Sequence, residues 1–132
     1  MLKLAQERDA LKVIADQIGA PTGADLLADI TAHAMRHAAQ QPQVSGTYHV
    51  AAAGQTSWHA YAVHVIERAR AQGTPIRVAR EAIVAVPTSA FPTPARRPGN
   101  SRLNTRKLQD TFDLHLPAWQ VGVDRLLAEI LG

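Results

Sequence analysis

The run Ile76-Arg77-Val78-Ala79-Arg80-Glu81-Ala82-Ile83-Val84-Ala85-Val86 leads directly into Pro87-Thr88-Ser89-Ala90-Phe91-Pro92-Thr93-Pro94-Ala95-Arg96-Arg97-Pro98-Gly99-Asn100-Ser101. The first part is rich in β-branched residues and predicts a strand, or two short ones, over 76–86, although Ala82 and Ala85 weaken the alternation. In the second part, Pro87, Pro92, Pro94 and Pro98 fix φ and remove amide donors, so neither helix nor central strand forms over most of 87–101. Just upstream lies the clearest helical period in the chain: Trp58, Tyr61, Ala62, Val65, Ile66 and Ala69, spaced three and four apart behind Thr56 or Ser57 as N-cap. Helix, strand and a long ordered loop in succession give an α/β class, and such a loop in a small domain is usually functional.

Outward from this centre, a helix is predicted over 57–72, ended by Gly73. Gly46 opens a short buried strand at 47–51, which runs into the small residues Ala51 to Gly54. A helix over 23–40 begins behind Thr22 and Asp25 as a capping pair and stops at Pro42; Leu26, Leu27, Ile30, Ala34 and Met35 form its apolar stripe, with Asp29, His33, Arg36 and His37 on other faces. Residues 12–16 read as a strand, and residues 1–9 as the last turns of a helix. Downstream, Thr105 caps a helix to 112, and Pro117 opens the last one, over 117–131, with Trp119, Val123, Leu126, Leu127 and Ile130 as its core face. No repeat or linker divides the chain, so residues 1–132 form a single domain.

Composition excludes several function classes. No apolar run approaches the roughly 20 residues that cross a bilayer, and the early charges Lys3, Glu7, Arg8 and Asp9 do not make a secretory signal; the chain reads as cytoplasmic, with no membrane partner. The absence of cysteine removes disulfides, thiolate nucleophiles and cysteine-held metals. The glycines never fall in a dinucleotide or P-loop spacing, and there is no Gly-x-Ser-x-Gly elbow. His33 and His37 stand one turn apart but lack a third ligand, so they and the other histidines read as structural or solvated. Net charge is only +3, yet Arg96, Arg97, Arg102, Arg106 and Lys107 fall within 96–107, a local patch that seeks an anion. Arginine in a rigid loop can present a bidentate fork to phosphate, the alternative from the residues alone being that these arginines only solubilise an exposed loop. Without interleaved aromatics, the patch does not suit nucleic acid.

Several segments, in order, resemble the dTDP-4-dehydrorhamnose reductases of the extended short-chain dehydrogenase family: Asp16-Gln17-Ile18-Gly19-Ala20-Pro21-Thr22, Gly46-Thr47-Tyr48-His49, Thr56-Ser57-Trp58-His59, Pro87 to Ala95 with Arg97-Pro98-Gly99-Asn100-Ser101-Arg102-Leu103, and Leu116-Pro117-Ala118-Trp119. The resemblance covers the whole chain and implies the C-terminal, substrate-binding portion of such an enzyme, with the Rossmann cofactor half absent. Neither Tyr48 nor Tyr61 is followed by lysine at the fourth position, so the family's proton-donating pair is missing. The parent activity implied is reduction of dTDP-4-dehydro-L-rhamnose to dTDP-L-rhamnose with NADPH or NADH, and this chain alone is expected to be inactive. The resemblance further implies a sugar-nucleotide ligand held by Arg97, with Gly99, Asn100 and Ser101 beside it and the loop from Gln17 to Thr22 lining the same cleft. Through the same resemblance, Asp25 and Glu129 are candidate magnesium ligands at a subunit contact in a homo-oligomer. A second function class is a docking or self-associating module, suggested by strand edges and apolar surface that another unit would cover.

Overall fold

The computed structural model describes residues 1–95 and 97–132; Arg96, the first cation of the cluster, lies outside the described residues. The elements are α1 (Leu2–Glu7), β1 (Leu11–Ile14), β2 (Ile18–Gly19), α2 (Ala24–Gln40), β3 (Thr56–Ser57), α3 (Trp58–Ala71), β4 (Ile83–Val86), α4 (Arg106–Phe112) and α5 (Trp119–Leu131), with 3-10 turns at Pro42–Val44, Arg80–Ala82 and Thr88–Ala90. β1 and β4 pair in parallel, Leu11 opposite Ile83 and Ile14 opposite Val86. Parallel pairing requires a crossover, and α3 packs against both strands. β2 and β3 pair antiparallel, Ile18 opposite Ser57.

Three apolar clusters hold these elements. Ala5, Leu11, Ile66, Val78 and Ile83 join α1, the parallel pair and α3. Ala52, Val65, Trp119, Val123 and Leu127 join α3 to α5. Ile30, Leu108 and Phe112 join α2 to α4. α3 starts as its sequence predicts, with Ser57 Oγ accepting the Ala60 N–H at 3.1 Å. It stops at Gly73, whose φ of 87° only glycine adopts without strain.

Several sequence-based expectations are corrected. The strand expected over 76–86 is confined to Ile83–Val86, because Arg77 and Val78 donate their amides to the Ala5 carbonyl of α1, both at 3.0 Å, instead of joining a sheet. The expected strand at 47–51 does not form. Tyr48 and Val50 pack onto the α2–α4 cluster there, and the nearby strand-like contact is a bridge between Ala53 and Ala118. That bridge also moves the start of α5. The Pro117 carbonyl accepts from Ala53 N at 2.8 Å, and helix begins only at Trp119. Thr22 does not cap α2: Gly23 holds that position, while the Thr22 hydroxyl accepts from Ala52 N at 3.0 Å and donates to Ala20 O at 3.1 Å. Thr105 stands at the N-cap of α4 without a side-chain bond to the backbone there, a role Asn104 takes by accepting from Arg106 N at 3.0 Å. The apolar stripe of α2 is rotated from the predicted one. Met35 is exposed, whereas His33 and His37 face Phe112, with His33 Nε2 3.2 Å from the Phe112 carbonyl oxygen.

Candidate functional site

The chain leaving β1 turns at Asp16 and Gln17 into β2, and the proline-rich loop returns beside it. Ile18 N donates to Gly99 O at 2.9 Å and Ser101 N to Ile18 O at 2.8 Å, so residues 99–101 lie along β2 on the side opposite β3. The approach is close: a Cβ on Gly19 would stand 2.8 Å from Ser101 Oγ. This three-segment ribbon frames a cleft of about 510 Å³ whose lining includes Gln17, Pro21, Ser57, Trp58, Tyr61 and Arg97. A second hollow of about 360 Å³ adjoins it, walled by Lys12, Thr88, Phe91 and Thr93. Gln17, Trp58 and Arg97 border both.

Of the predicted ligand residues, Arg97, Gln17, Thr22 and Ser101 line the cleft. Gly99 and Asn100 frame it through the backbone ribbon, and Asn100 Oδ1 accepts from Arg102 Nε at 3.0 Å. The cationic cluster does not act as one patch. Arg102 is held by Asn100 and Gln55, Lys107 lies on Thr47 O at 3.0 Å and over the Tyr48 ring, and Arg106 lines a separate hollow with Asp110 and Asp113. Among the described residues Arg97 has no hydrogen-bond or ion-pair partner, which leaves its guanidinium available at the cleft. Beneath it, Asp16 clamps the start of the proline-rich loop by accepting from Thr88 N at 2.9 Å and Thr88 Oγ1 at 2.6 Å. These bonds, the hydroxyl's first, hold the Asp16 carboxyl below its ordinary pKa.

Sequence reasoning placed Trp58 and Tyr61 in the apolar stripe of α3 and missed them as cleft residues. Trp58 is 50% exposed at the junction of the two hollows, with Tyr61 edge-on at 6.1 Å between ring centroids. The available signal was position: Trp58 is the first residue of its helix, directly after a capping serine, where a stripe has left the core.

Asp25 and Glu129 come together, but around a guanidinium. Arg125 lies 3.0 Å from Asp25 and 3.1 Å from Glu129, and their hydrogen bond and charges raise its pKa above the ordinary value, Glu129 first. With the pair already bridged by Arg125, and no group of three His, Asp or Glu side chains placed to hold a metal among the described residues, a magnesium ion here would need further acidic ligands from outside this chain. The turn that follows β1 reads Ala15-Asp16-Gln17 and carries no glycine-rich phosphate fingerprint. Among the described residues, no helix is long and apolar enough to cross a membrane.

The family model described as RmlD substrate binding domain matches residues 1–131. The chain belongs to that family. A dTDP-4-dehydrorhamnose reductase of Shigella flexneri is 61% identical over 130 residues, 98% of this chain and 43% of that protein. One from Burkholderia thailandensis is 46% identical over 138 residues, 100% of this chain and 46% of that protein. The RmlD substrate-binding chain therefore spans less than half the length of the curated relatives it matches. Crystal structures of dTDP-4-dehydrorhamnose reductases from Bacillus anthracis, in complex with NADP, and from Clostridium acetobutylicum superpose with TM-scores of 0.74 and 0.78 at 29% and 27% identity, covering 96% and 98% of this chain and 41% and 42% of theirs. The α/β fold is thus that of the substrate-binding portion of these reductases.

Proposed function

We propose that this chain supplies the sugar-nucleotide site of a dTDP-4-dehydrorhamnose reductase, reducing dTDP-4-dehydro-L-rhamnose to dTDP-L-rhamnose in the cytoplasm. The observation that carries the reading is Arg97, without a partner among the described residues, set at the junction of two hollows. A sugar nucleotide has that form, with a diphosphate between two bulkier ends. A guanidinium meets a diphosphate with paired, charge-assisted hydrogen bonds. Gln17, Thr22 and Ser101 line the same cleft, while Gly99 and Asn100 hold the ribbon that carries Arg97 past β2. NADPH or NADH, when bound to the complete reductase, supplies the hydride; this chain's own residues bind and orient the sugar nucleotide. Taken alone, the chain is expected to lack reductase activity.

Calorimetric titration with dTDP-L-rhamnose and dTDP tests the assignment. Arg97→Ala is expected to weaken both by about 10-fold to 100-fold, the range of lost charge-assisted bonds, with Arg97→Lys recovering part. Equal affinity in wild type and Arg97→Ala overturns the role of Arg97. A partner reading accompanies this one. Leu126 and Ile130, one turn apart, leave an exposed apolar strip on α5, which supports self-association.

A further inference from the structure

A hydrogen-bond chain at the junction of the two hollows has one possible direction. The ionised Asp16 carboxylate accepts and cannot donate. Thr88 therefore gives its hydroxyl proton to Asp16 Oδ1, 2.6 Å away. Its oxygen is left to accept, and it accepts from Gln17 Nε2 at 3.1 Å. With its NH2 turned to Thr88, the Gln17 amide must point Oε1 elsewhere. Gln17 is only 8% exposed, and among the described residues Oε1 has no partner. It is nevertheless not one of the fully enclosed, partnerless polar atoms, so the exposure it retains opens onto the hollows that Gln17 lines. The result is a nearly buried carbonyl acceptor beside Arg97, held in one orientation and awaiting a donor.

We infer that Gln17 Oε1 accepts a hydrogen bond from a sugar hydroxyl of the bound sugar nucleotide, and that Asp16 and Thr88 are positioning residues that fix its amide. The inference rests on the nucleotide reading above and extends it to a specificity-determining contact. Carboxamide oxygen accepts from hydroxyl donors and repels anionic oxygens, so Gln17 complements Arg97 instead of duplicating it. A diphosphate at Arg97 has a hydroxyl-bearing ring on either side, deoxyribose on one and hexose on the other. The hydroxyls of those two rings are the donors nearest the diphosphate, whichever way the ligand lies, with the thymine N3–H farther off beyond the deoxyribose.

The test titrates wild type, Gln17→Met and Thr88→Val with three probes: dTDP-L-rhamnose, dTDP, which lacks the hexose, and 3′-deoxythymidine diphosphate, which also lacks the ribose hydroxyl. Methionine keeps the shape and removes the acceptor. Thr88→Val leaves Gln17 in place, frees its amide to turn, and leaves Asp16 solvated at the surface. The expected result for Gln17→Met is a loss of about threefold to tenfold on the probes carrying the hydroxyl and none on those lacking it. A loss confined to dTDP-L-rhamnose places the bond on the hexose. A loss on both dTDP-L-rhamnose and dTDP, but not on the 3′-deoxy probe, places it on the deoxyribose. Thr88→Val is expected to show the same pattern at smaller size, and unchanged affinities in that variant overturn the positioning role. Equal weakening on all three probes, or on none, overturns the inference while leaving the Arg97 assignment standing. A folded wild-type chain that binds no probe overturns the nucleotide reading itself, and this inference with it.

Discussion

Gly19 shows how tightly single atoms set the site. Its missing Cβ is the space into which Ser101 Oγ fits, 2.8 Å from where that carbon would be, and the same hydroxyl donates to Ile18 O at 3.1 Å. Gly19→Ala must push the hydroxyl aside or part β2 from residues 99–101. Overpacking of this kind costs about 1 to 3 kcal/mol. The obstacle is one oxygen on a short side chain, so Ser101→Ala in the same chain is expected to recover most of the loss. Urea denaturation of the two single variants and the double variant reads the coupling. Additive effects would show that Ser101 is not what the new methyl meets. Arg97 and Gln17 belong to this scale as well. The sequence pattern marked the cationic, proline-stiffened loop as a whole, while Arg97 and Gln17 were singled out only through the family resemblance. What the sequence did not mark is the bond from Gln17 to a hydroxyl 71 residues away.

Between elements, α3 and α5 are joined by more than their apolar faces. Asp124 of α5 receives Arg68 and His64 of α3, with His64 Nε2 2.7 Å from Asp124 Oδ1 and the His64 ring edge-on to Trp119. The hydrogen bond from Arg68 is the first cause holding the Asp124 pKa below its ordinary value. A carboxyl depressed in the folded state contributes stability above its unfolded pKa, and that contribution is lost as pH falls through the folded pKa. Asp124→Asn lacks this titration. At neutral pH it is expected to be less stable than wild type by about 1 kcal/mol, as befits a partly exposed pair. On acidification from about pH 5 to about pH 2.5 the gap should narrow, because only wild type loses the ion pair. Denaturation curves across that window measure it, and a constant gap would rule out Asp124 as the titrating group. The helices themselves were legible because periodicity reports which face is apolar. What periodicity does not report is the partner, and here reading from sequence fell short. Val78 has every property of a strand residue, yet its amide is taken by Ala5 of α1. Tyr48 and Val50 have the β-branched and aromatic character of a strand, but the surface they meet is helical.

For the molecule as a whole, surface area is the informative quantity. The chain exposes 8674 Å², whereas a compact monomer of 14.2 kDa is expected to expose about 6,800 Å². The excess of roughly 1,900 Å² on one chain is about twice the roughly 800 Å² that each partner buries in a standard protein–protein interface. It is matched by a core divided into three small clusters and by apolar side chains left outside, with Val121, Leu126 and Ile130 on α5 and Leu4 on α1 all exposed. A fold with this much uncovered surface gains less from burial per residue than a compact one of the same length, so its stability in isolation should be modest. If copies of the chain cover the α5 face for one another, association adds to stability by mass action, and the melting temperature must rise with protein concentration. The expected rise is several degrees for a hundredfold increase in concentration, read by scanning calorimetry beside sedimentation equilibrium. Leu126→Glu with Ile130→Glu places charge on that face without touching the buried Val123 and Leu127, and should abolish both the concentration dependence and the association. A melting temperature independent of concentration in a chain that stays monomeric would assign the excess surface to a different covering, and would separate the question of assembly from that of the Arg97 cleft, which lies on other elements.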